Sequence, residues 1–320
     1  MNTIGVIGTG FVGKALIEGM RHAFNVYSYD KKHSDRVFIH KKGSTAHEKD
    51  SAWSASYTET NRPYKAIVAI VNNTDGPIFV CVPTPMNKDG SCNTSIVEDV
   101  VTEINKACAQ INKEGQIVVI KSTVIPGTTE KLNKECTNIQ VCFNPEFLTE
   151  MNANEDFKNQ DRIIIGGPRP GSSIVKQCYM KAFPNVPITK TGETTAEMIK
   201  YVTNTFLATK VSFANEIKQI CDQLDIDYDK VIEYATKDKR LGNSHWSVPG
   251  PMPASDGSGR LLLGYSGSCF CKDLNALIAK AKELGVDPKV MSAVWAKNLE
   301  VRPEKDWEKL IGRVVLDEND

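Results

Sequence analysis

The 320-residue sequence has no block of like charge, no long apolar run, and no paired spacing among its cysteines or histidines. Each absence removes a class of protein. With 39 basic and 39 acidic side chains the formal net charge is zero. Without a basic cluster there is no electrostatic footprint for a nucleic acid or an anionic membrane surface. No segment approaches the roughly 20 apolar residues that a membrane-spanning helix needs, so no membrane partner is expected. Nine cysteines, an odd number, are scattered from Cys81 to Cys271, and the five histidines are dispersed. Cys269 and Cys271 fit neither a zinc knuckle nor a redox Cys-x-x-Cys, so free thiols and no metal site are expected. The apolar stretch Ile4–Val12 is broken by Gly5, Gly8 and Gly10 and has no basic leader. It reads as strand and turn, not as an export signal, and the expected location is the cytoplasm.

What is present is an ordinary globular composition, 41% hydrophobic and 24% charged, on a chain long enough for two domains. No internal repeat is visible. The first half alternates β-rich runs with helical stretches, which predicts an α/β, Rossmann-type doubly wound parallel sheet. Strands are expected at Thr3–Ile7, Asn25–Tyr29, Pro77–Val82, Gln116–Lys121, Gln140–Asn144, Arg162–Gly166 and Pro187–Thr189. The polar stretch Lys31–Pro63 is expected to be exposed and loosely structured. Thr194 and Glu197 have the spacing of a capping box. From there Ile199, Val202, Phe206, Phe213, Ile217, Ile220 and Leu224 recur at helical steps and predict one long amphipathic helix over Thr194–Leu224. An all-α region follows, with helices expected at Asp229–Thr236, Lys272–Leu284 and Asp287–Lys297. Between them Gly242–Gly267 is a long Gly-, Pro- and Ser-rich loop, and such loops are functional or disordered.

Several motifs carry chemistry. Gly8-Thr9-Gly10-Phe11-Val12-Gly13 follows a strand and opens a helix, and Asp30 ends the second strand. The glycines permit close approach of a pyrophosphate to a helix N-terminus. Asp30 would accept from ribose hydroxyls, favouring NAD, although Lys31 and Lys32 leave room for a 2′-phosphate. Lys200 and Asn204 share a helix face: a lysine desolvated there can act as a base on an alcohol, with Asn204 holding the substrate oxygen. The same spacing also suits a solvated face turned away from the apolar stripe. Val82-Pro83-Thr84-Pro85, Lys121-Ser122-Thr123-Val124 and Phe143–Glu150 end strands at the sheet edge where open α/β sheets bind ligands, or are plain turns.

Ser-Gly-Ser-Cys-Phe-Cys-Lys-Asp, residues 266–273, stands directly ahead of the periodic run Leu274, Ala276, Leu277, Ile278. This places Cys269 at or just before a helix N-terminus, where the dipole favours thiolate, with Asp273 on the same face of the first turn. A thiolate beside a hydride acceptor is equipment for oxidising an aldehyde through a thioester. A buried cysteine at a helix start fits the octet equally well.

Taken together, these residues resemble the UDP-glucose/GDP-mannose dehydrogenase family. The likeness runs in consistent order through the dinucleotide turn, Val82–Pro85, Lys121–Thr123, Asn144–Glu150, Ala196–Asn204 with Asn215-Glu216, Arg240–Gly242 and Gly264–Asp273. The resemblance implies an NAD-binding domain over 1–190, a helical domain over 191–300 that forms a homodimer along its long helix, and a tail over 301–320. It implies a four-electron oxidation at C6 of a nucleotide sugar, with UDP-glucose giving UDP-glucuronate for polysaccharide synthesis. Lys200 would assist removal of the hydroxyl proton and Cys269 would trap the aldehyde. Asp273, Thr123, Glu146 and Glu150 would aid hydrolysis of the thioester, with Asn204 holding the substrate. NAD would meet Gly8, Gly10, Phe11, Val12, Gly13, Asp30, Val82, Pro83, Thr84, Ser122, Thr123 and Glu150. The sugar nucleotide would meet Glu146, Phe147, Leu148, Glu150, Lys200, Asn204, Tyr265 and Gly267, with Arg240 offered across the dimer.

The sequence also departs from that pattern. Ser266 stands where glycine is usual and Cys271 where proline is common, the Arg240–Cys269 segment is long, and the region after Asp30 is trimmed. Typical members continue into a third domain at about the position of Asp320, so the Gly242–Gly267 loop is expected to take over part of the substrate grip. The competing readings are a GDP-mannose dehydrogenase, a two-electron β-hydroxyacid-type dehydrogenase and a non-catalytic nucleotide-binding protein.

Overall fold

A computed structural model of the chain describes residues 1–33, 36–43, 51–54 and 62–316. In chain order the first part holds β1 (Thr3–Ile7), α1 (Phe11–Met20), β2 (Asn25–Tyr29), β3 (Arg36–His40), β4 (Ser51–Ser54), α2 (Arg62–Asn73), β5 (Ile78–Val80) and α3 (Ser95–Gln110). It continues with β6 (Gln116–Ile120), α4 (Thr128–Glu135), β7 (Ile139–Phe143), α5 (Ala153–Lys158), β8 (Ile163–Gly166), α6 (Gly171–Ala182) and β9 (Ile188–Thr191). The nine strands form one sheet in the order β4-β3-β2-β1-β5-β6-β7-β8-β9. Its centre, β2 to β7, is parallel, because each connection is a helical crossover. Successive residues of the central strands point to opposite faces and are buried on both. Val80 and Ile120 join the core under α2 and α3, whereas Phe79 and Val119 join the core under α1 and α6. This is the doubly wound arrangement expected from the near-continuous apolar strands.

Both edges depart from a purely parallel sheet. β3 pairs antiparallel with β2 and with β4, and β8 pairs antiparallel with β7. β3 and β4 fall in the stretch expected to be loosely structured, which is a correction. The triplet Val37-Phe38-Ile39 is enough for a strand, and buried His40 meets the Ser28 hydroxyl at 2.8 Å across the pair. Most of the remainder of that stretch lies outside the described residues.

The chain then enters α7 (Glu193–Gln223), α8 (Tyr228–Ala235), α9 (Phe270–Glu283) and α10 (Lys289–Val301). Two compact units result: Met1–Thr84 with Thr94–Lys200, and Pro85–Asn93 with Tyr201–Asp320. The sequence reading differs from this division in two ways. The boundary lies inside α7 and not before it, since Ala196 and Ile199 pack into the sheet core while Ala208 and Val211 join the second core. The residues after 301 are not a tail: Trp307 and Val314 are buried with Tyr265, Leu274, Ile278 and Val294.

α7 brings one further correction. Thr194 and Glu197 make no capping box. Thr194 lies inside the helix and its hydroxyl meets Glu130, while the Glu197 carboxylate accepts from the Gly127 and Thr129 N–H groups, capping α4 instead. Of the two readings of the Lys200 and Asn204 face, the desolvated one holds and the solvated one does not. Lys200 and Asn204 are buried, as are the small Ala196, Ala208 and Ala214, whereas Val202, Phe206, Phe213 and Ile220 are exposed, Phe206 by 63%. Buried polar groups and exposed large apolar ones are the informative exceptions to ordinary burial.

Candidate active site

The candidate residues divide between the two units. In the first, the turn after β1 is built for close approach. Gly8 has φ +90°, and a Cβ there would stand 2.5 Å from the Cys81 carbonyl oxygen. A Cβ on Gly13 would stand 2.0 Å from the Gly8 oxygen, while one on Gly10 meets nothing within 4 Å. Gly10 is also the N-cap of α1, so the open space lies at a helix N-terminus, where anions are favoured. Phe11 and Val12 begin that helix. Asp30 accepts from Thr9 N–H at 2.7 Å and from Lys32 N–H at 3.0 Å. Partial burial pushes its carboxyl up, but these hydrogen bonds outweigh it and hold the group below its ordinary value. An ionised carboxylate beside a glycine turn with unfilled space over a helix end fits a dinucleotide with free ribose hydroxyls.

The strand ends beyond β5, β6 and β7 supply the rest of this half. Ser122 donates to the Val82 carbonyl at 2.6 Å, tying the Val82-Pro83-Thr84 run to the end of β6, and Thr84 and Thr123 are buried. After β7, Glu146 is buried with one oxygen accepting from Leu148 N–H at 2.7 Å and the other from Lys200 Nζ at 3.0 Å. Lys200 also donates to the Glu146 carbonyl at 2.6 Å and lies 5.6 Å from the centre of the Phe147 ring. Burial pushes Glu146 up, but Lys200, the Leu148 hydrogen bond and Lys121 overcome it and hold the carboxyl below its ordinary value. Glu150 sits half-buried in the following turn.

Lys121 and Asn144, which the sequence offers only within motifs and without roles of their own, and Tyr179, which it does not single out, complete this network. Lys121 Nζ donates to Asn144 Oδ1 at 2.8 Å, and Tyr179 donates to the same oxygen at 2.5 Å. Burial brings Lys121 down to about 8, with Lys200 adding to the shift and Cys81 and Glu146 opposing it. A lysine ending an apolar strand was the available signal for Lys121. Nothing local marks Tyr179, which arrives from α6.

In the second unit Cys269 is the N-cap of α9 and half-buried, and its carbonyl accepts from Asp273 N–H at 2.9 Å. The buried Asp273 carboxylate is engaged on both oxygens, by Lys272 Nζ at 2.5 Å and by Asn204 Nδ2 at 2.6 Å. Lys272 was also missed, although it adjoins Asp273. Burial works against its charge, yet Asp273, Cys92 and Cys269 more than compensate and raise it well above the ordinary lysine value. A fixed ammonium coupled to Cys269 favours the thiolate, as does the start of α9.

Three other expected substrate contacts, Arg240, Tyr265 and Gly267, lie in the same unit. Arg240 is exposed and bonds its own neighbour Asp238 through Nε and Nη2. Tyr265 is buried with its ring edge-on to Phe270, and its N–H donates to Asn298 at 2.8 Å. Gly267 takes φ +74° in the turn before the thiol. The Gly242–Gly267 loop is anchored, with Ser255 N–H on Asp306 at 2.5 Å and the Leu263 carbonyl on Arg302 at 2.9 Å. Among the described residues no group of three His, Cys, Asp or Glu side chains could hold a metal ion, and no helix is long and apolar enough to cross a membrane.

The fold agrees with comparison to known proteins. Residues 2–182 match the NAD-binding domain of the UDP-glucose/GDP-mannose dehydrogenase family, and residues 194–300 match its central domain. The chain belongs to that family of NAD-dependent dehydrogenases. A UDP-glucose 6-dehydrogenase of Haloferax volcanii is 33% identical over 253 residues, 75% of this chain and 55% of the relative. One of Bacillus subtilis is 36% identical over 224 residues, 68% of this chain and 47% of the relative. The chain thus spans about half the length of these relatives. A UDP-glucose dehydrogenase structure from Pyrobaculum islandicum superposes with a TM-score of 0.73 at 27% identity, covering 95% of this chain and 69% of the other.

Proposed function

We propose that the protein oxidises the C6 hydroxyl of a nucleotide sugar to a carboxylate in two NAD-dependent steps, with UDP-glucose as the substrate. The observation that carries this reading is Cys269 at the start of α9, coupled to the charged Lys272. A two-electron alcohol dehydrogenase has no use for a primed thiol. Bound NAD would accept a hydride in each oxidation. In the first, Lys200, which donates to the Glu146 carbonyl and carboxylate, stabilises the hydroxyl oxygen while its proton passes to water and its hydride to NAD. Asn204, fixed by Asp273, offers its amide to orient the sugar. In the second, the Cys269 thiolate adds to the aldehyde carbon, the adduct is oxidised to a thioester, and water releases the carboxylate and the thiol.

The choice of UDP-glucose rests on the relatives at 33% and 36% identity, both UDP-glucose 6-dehydrogenases. An NADH-release assay over UDP-glucose, GDP-mannose and UDP-N-acetylmannosamine tests it, and the expected result is two NADH per UDP-glucose. One NADH per sugar would move the assignment to a two-electron dehydrogenase. The exposed face of α7 supports a homodimer, the natural way to cover Val202, Phe206, Phe213 and Ile220. Phe206→Asp is expected to shift light scattering from dimer to monomer, and a monomeric parent protein would remove this part of the reading.

A further inference from the structure

We propose that Asn298 is a positioning residue for Cys269, acting through the main chain of Tyr265. The proposal rests on the reading of Cys269 as the nucleophile and adds to it a residue from another helix of the same unit.

Asn298 stands on α10 and is fully buried. A side-chain amide in that setting costs stability unless both of its ends are paired. Its Oδ1 accepts from Tyr265 N–H at 2.8 Å, and its Nδ2 donates to the Tyr265 carbonyl at 3.1 Å. One side chain thus pairs with both main-chain groups of one residue, as a neighbouring strand would. The pairing also fixes which way round the amide stands, since the N–H needs an acceptor and the carbonyl a donor. The adjoining backbone is shaped for this close approach. Gly264 takes φ +66°, and a Cβ there would stand 2.4 Å from Asn298 Oδ1. The Gly264 N–H donates in turn to Asn215 of α7 at 3.2 Å.

Tyr265 passes this hold on to the start of α9. Its ring meets that of Phe270 edge-on, with centroids 5.9 Å apart. Its carbonyl also accepts from the Cys271 thiol at 3.8 Å, a weak bond. Burial pushes that thiol up, so its proton stays in place to donate. The stretch 266–269 is therefore a short loop, turned at Gly267 with φ +74°, whose flanking residues are bound to each other. Cys269 is its last member. A shift of Tyr265 is transmitted to the first turn of α9 and carries the thiol with it. A nucleophile has to stand about 3–3.5 Å from the carbon it attacks, and a displacement of about 1 Å is enough to lose most of its rate.

The test is the ratio of NADH formed to sugar consumed, measured on the full chain with UDP-glucose and NAD, with a hydrazide present to trap free aldehyde. The first hydride transfer does not involve the thiol, so a misplaced Cys269 lets the aldehyde escape. Asn298→Ala is expected to lower the ratio from two toward one, with the aldehyde adduct appearing. Asn298→Ser keeps a hydroxyl for one of the two bonds and should fall between. The ratio describes turnover by folded molecules, so a loss of stability alone leaves it at two. A ratio of two without trapped aldehyde in Asn298→Ala overturns the proposal, and Asn298→Ser decides in the same way if the alanine variant does not fold. If neither folds, deuterium exchange of the parent protein decides: the Tyr265 amide should exchange about 10³-fold or more below the open-chain rate, and open-chain exchange there overturns the proposal. The exchange measurement needs no substrate, so absence of NADH from every nucleotide sugar fails the catalytic reading by itself.

Discussion

The two units hold their candidate lysines in different ways. Lys200 in the first donates to both the carbonyl and the carboxylate of Glu146, on a strand end braced by Lys121, Asn144 and Tyr179. Lys272 in the second is bonded to Asp273, and its charge is also felt by Cys269. The first arrangement sets an ammonium directly against a carboxylate. The second leaves part of its field for a thiol. That difference suits a division of labour in which one unit stabilises charge on an oxygen and the other supplies a nucleophile.

Breaking the second unit should give the larger effect. Cys269→Ala is expected to lower formation of the final carboxylate by about 10³-fold or more, as loss of a covalent nucleophile does. Cys269→Ser should allow the first oxidation and then stall, with an ester adduct visible by mass spectrometry. Full two-step turnover in Cys269→Ala would dissolve the distinction between the units.

Lys200→Ala should slow the first oxidation by about 10²- to 10³-fold. A supplied aldehyde should bypass much of that defect, whereas it should not rescue Cys269→Ala. The same pair sets an acid limit. The folded-state pKa of Glu146 is depressed, so its ion pair stabilises the fold above the ordinary glutamate range and is lost as pH falls through the depressed value. Glu146→Gln leaves Lys200 buried beside a neutral amide and should cost about 3–5 kcal/mol near neutrality. Acid denaturation curves of the two proteins should converge at low pH, and a constant gap would contradict this account.

Asp30→Ala should weaken NAD by about tenfold, the loss of a charged hydrogen-bond acceptor, and affect NADP less. A parent preference for NADP would sink that assignment and implicate Lys31 or Lys32. The smallest effect is expected at Glu197, whose carboxylate accepts two backbone N–H groups and the Thr129 hydroxyl at the start of α4. Glu197→Gln turns one acceptor into a donor facing Gly127 and should cost about 1–2 kcal/mol by thermal melting.

How far the sequence could be read follows from how each half is assembled. The dinucleotide turn, the strand ends and the thiol at its helix start are local: strand, turn and helix occur within a few residues, so composition and spacing reveal them. β3 was hidden because three apolar residues inside a Lys- and Ser-rich stretch were outweighed by their surroundings. The burial of the Lys200 and Asn204 face of α7 was left open because periodicity reports which residues share a face, not whether that face is turned toward a core. Tyr179 and Asn298 were invisible for a third reason. Each reaches its partner, Asn144 or Tyr265, from tens of residues away, and no local pattern encodes such a meeting.

The reversed faces of α7 also set which substitutions the helix will tolerate. On its inner side Ala196 packs against β8, where a Cβ added to Gly166 would come within 2.6 Å of the Ala196 methyl. Ala208 and Ala214 are fully buried, so a larger side chain there has to displace its neighbours. On the outer side Phe206 or Ile220 can become lysine without disturbing either core. A saturation map of this helix would therefore run opposite to that of an ordinary amphipathic one, with its buried alanines sensitive and its phenylalanine at 206 permissive for folding.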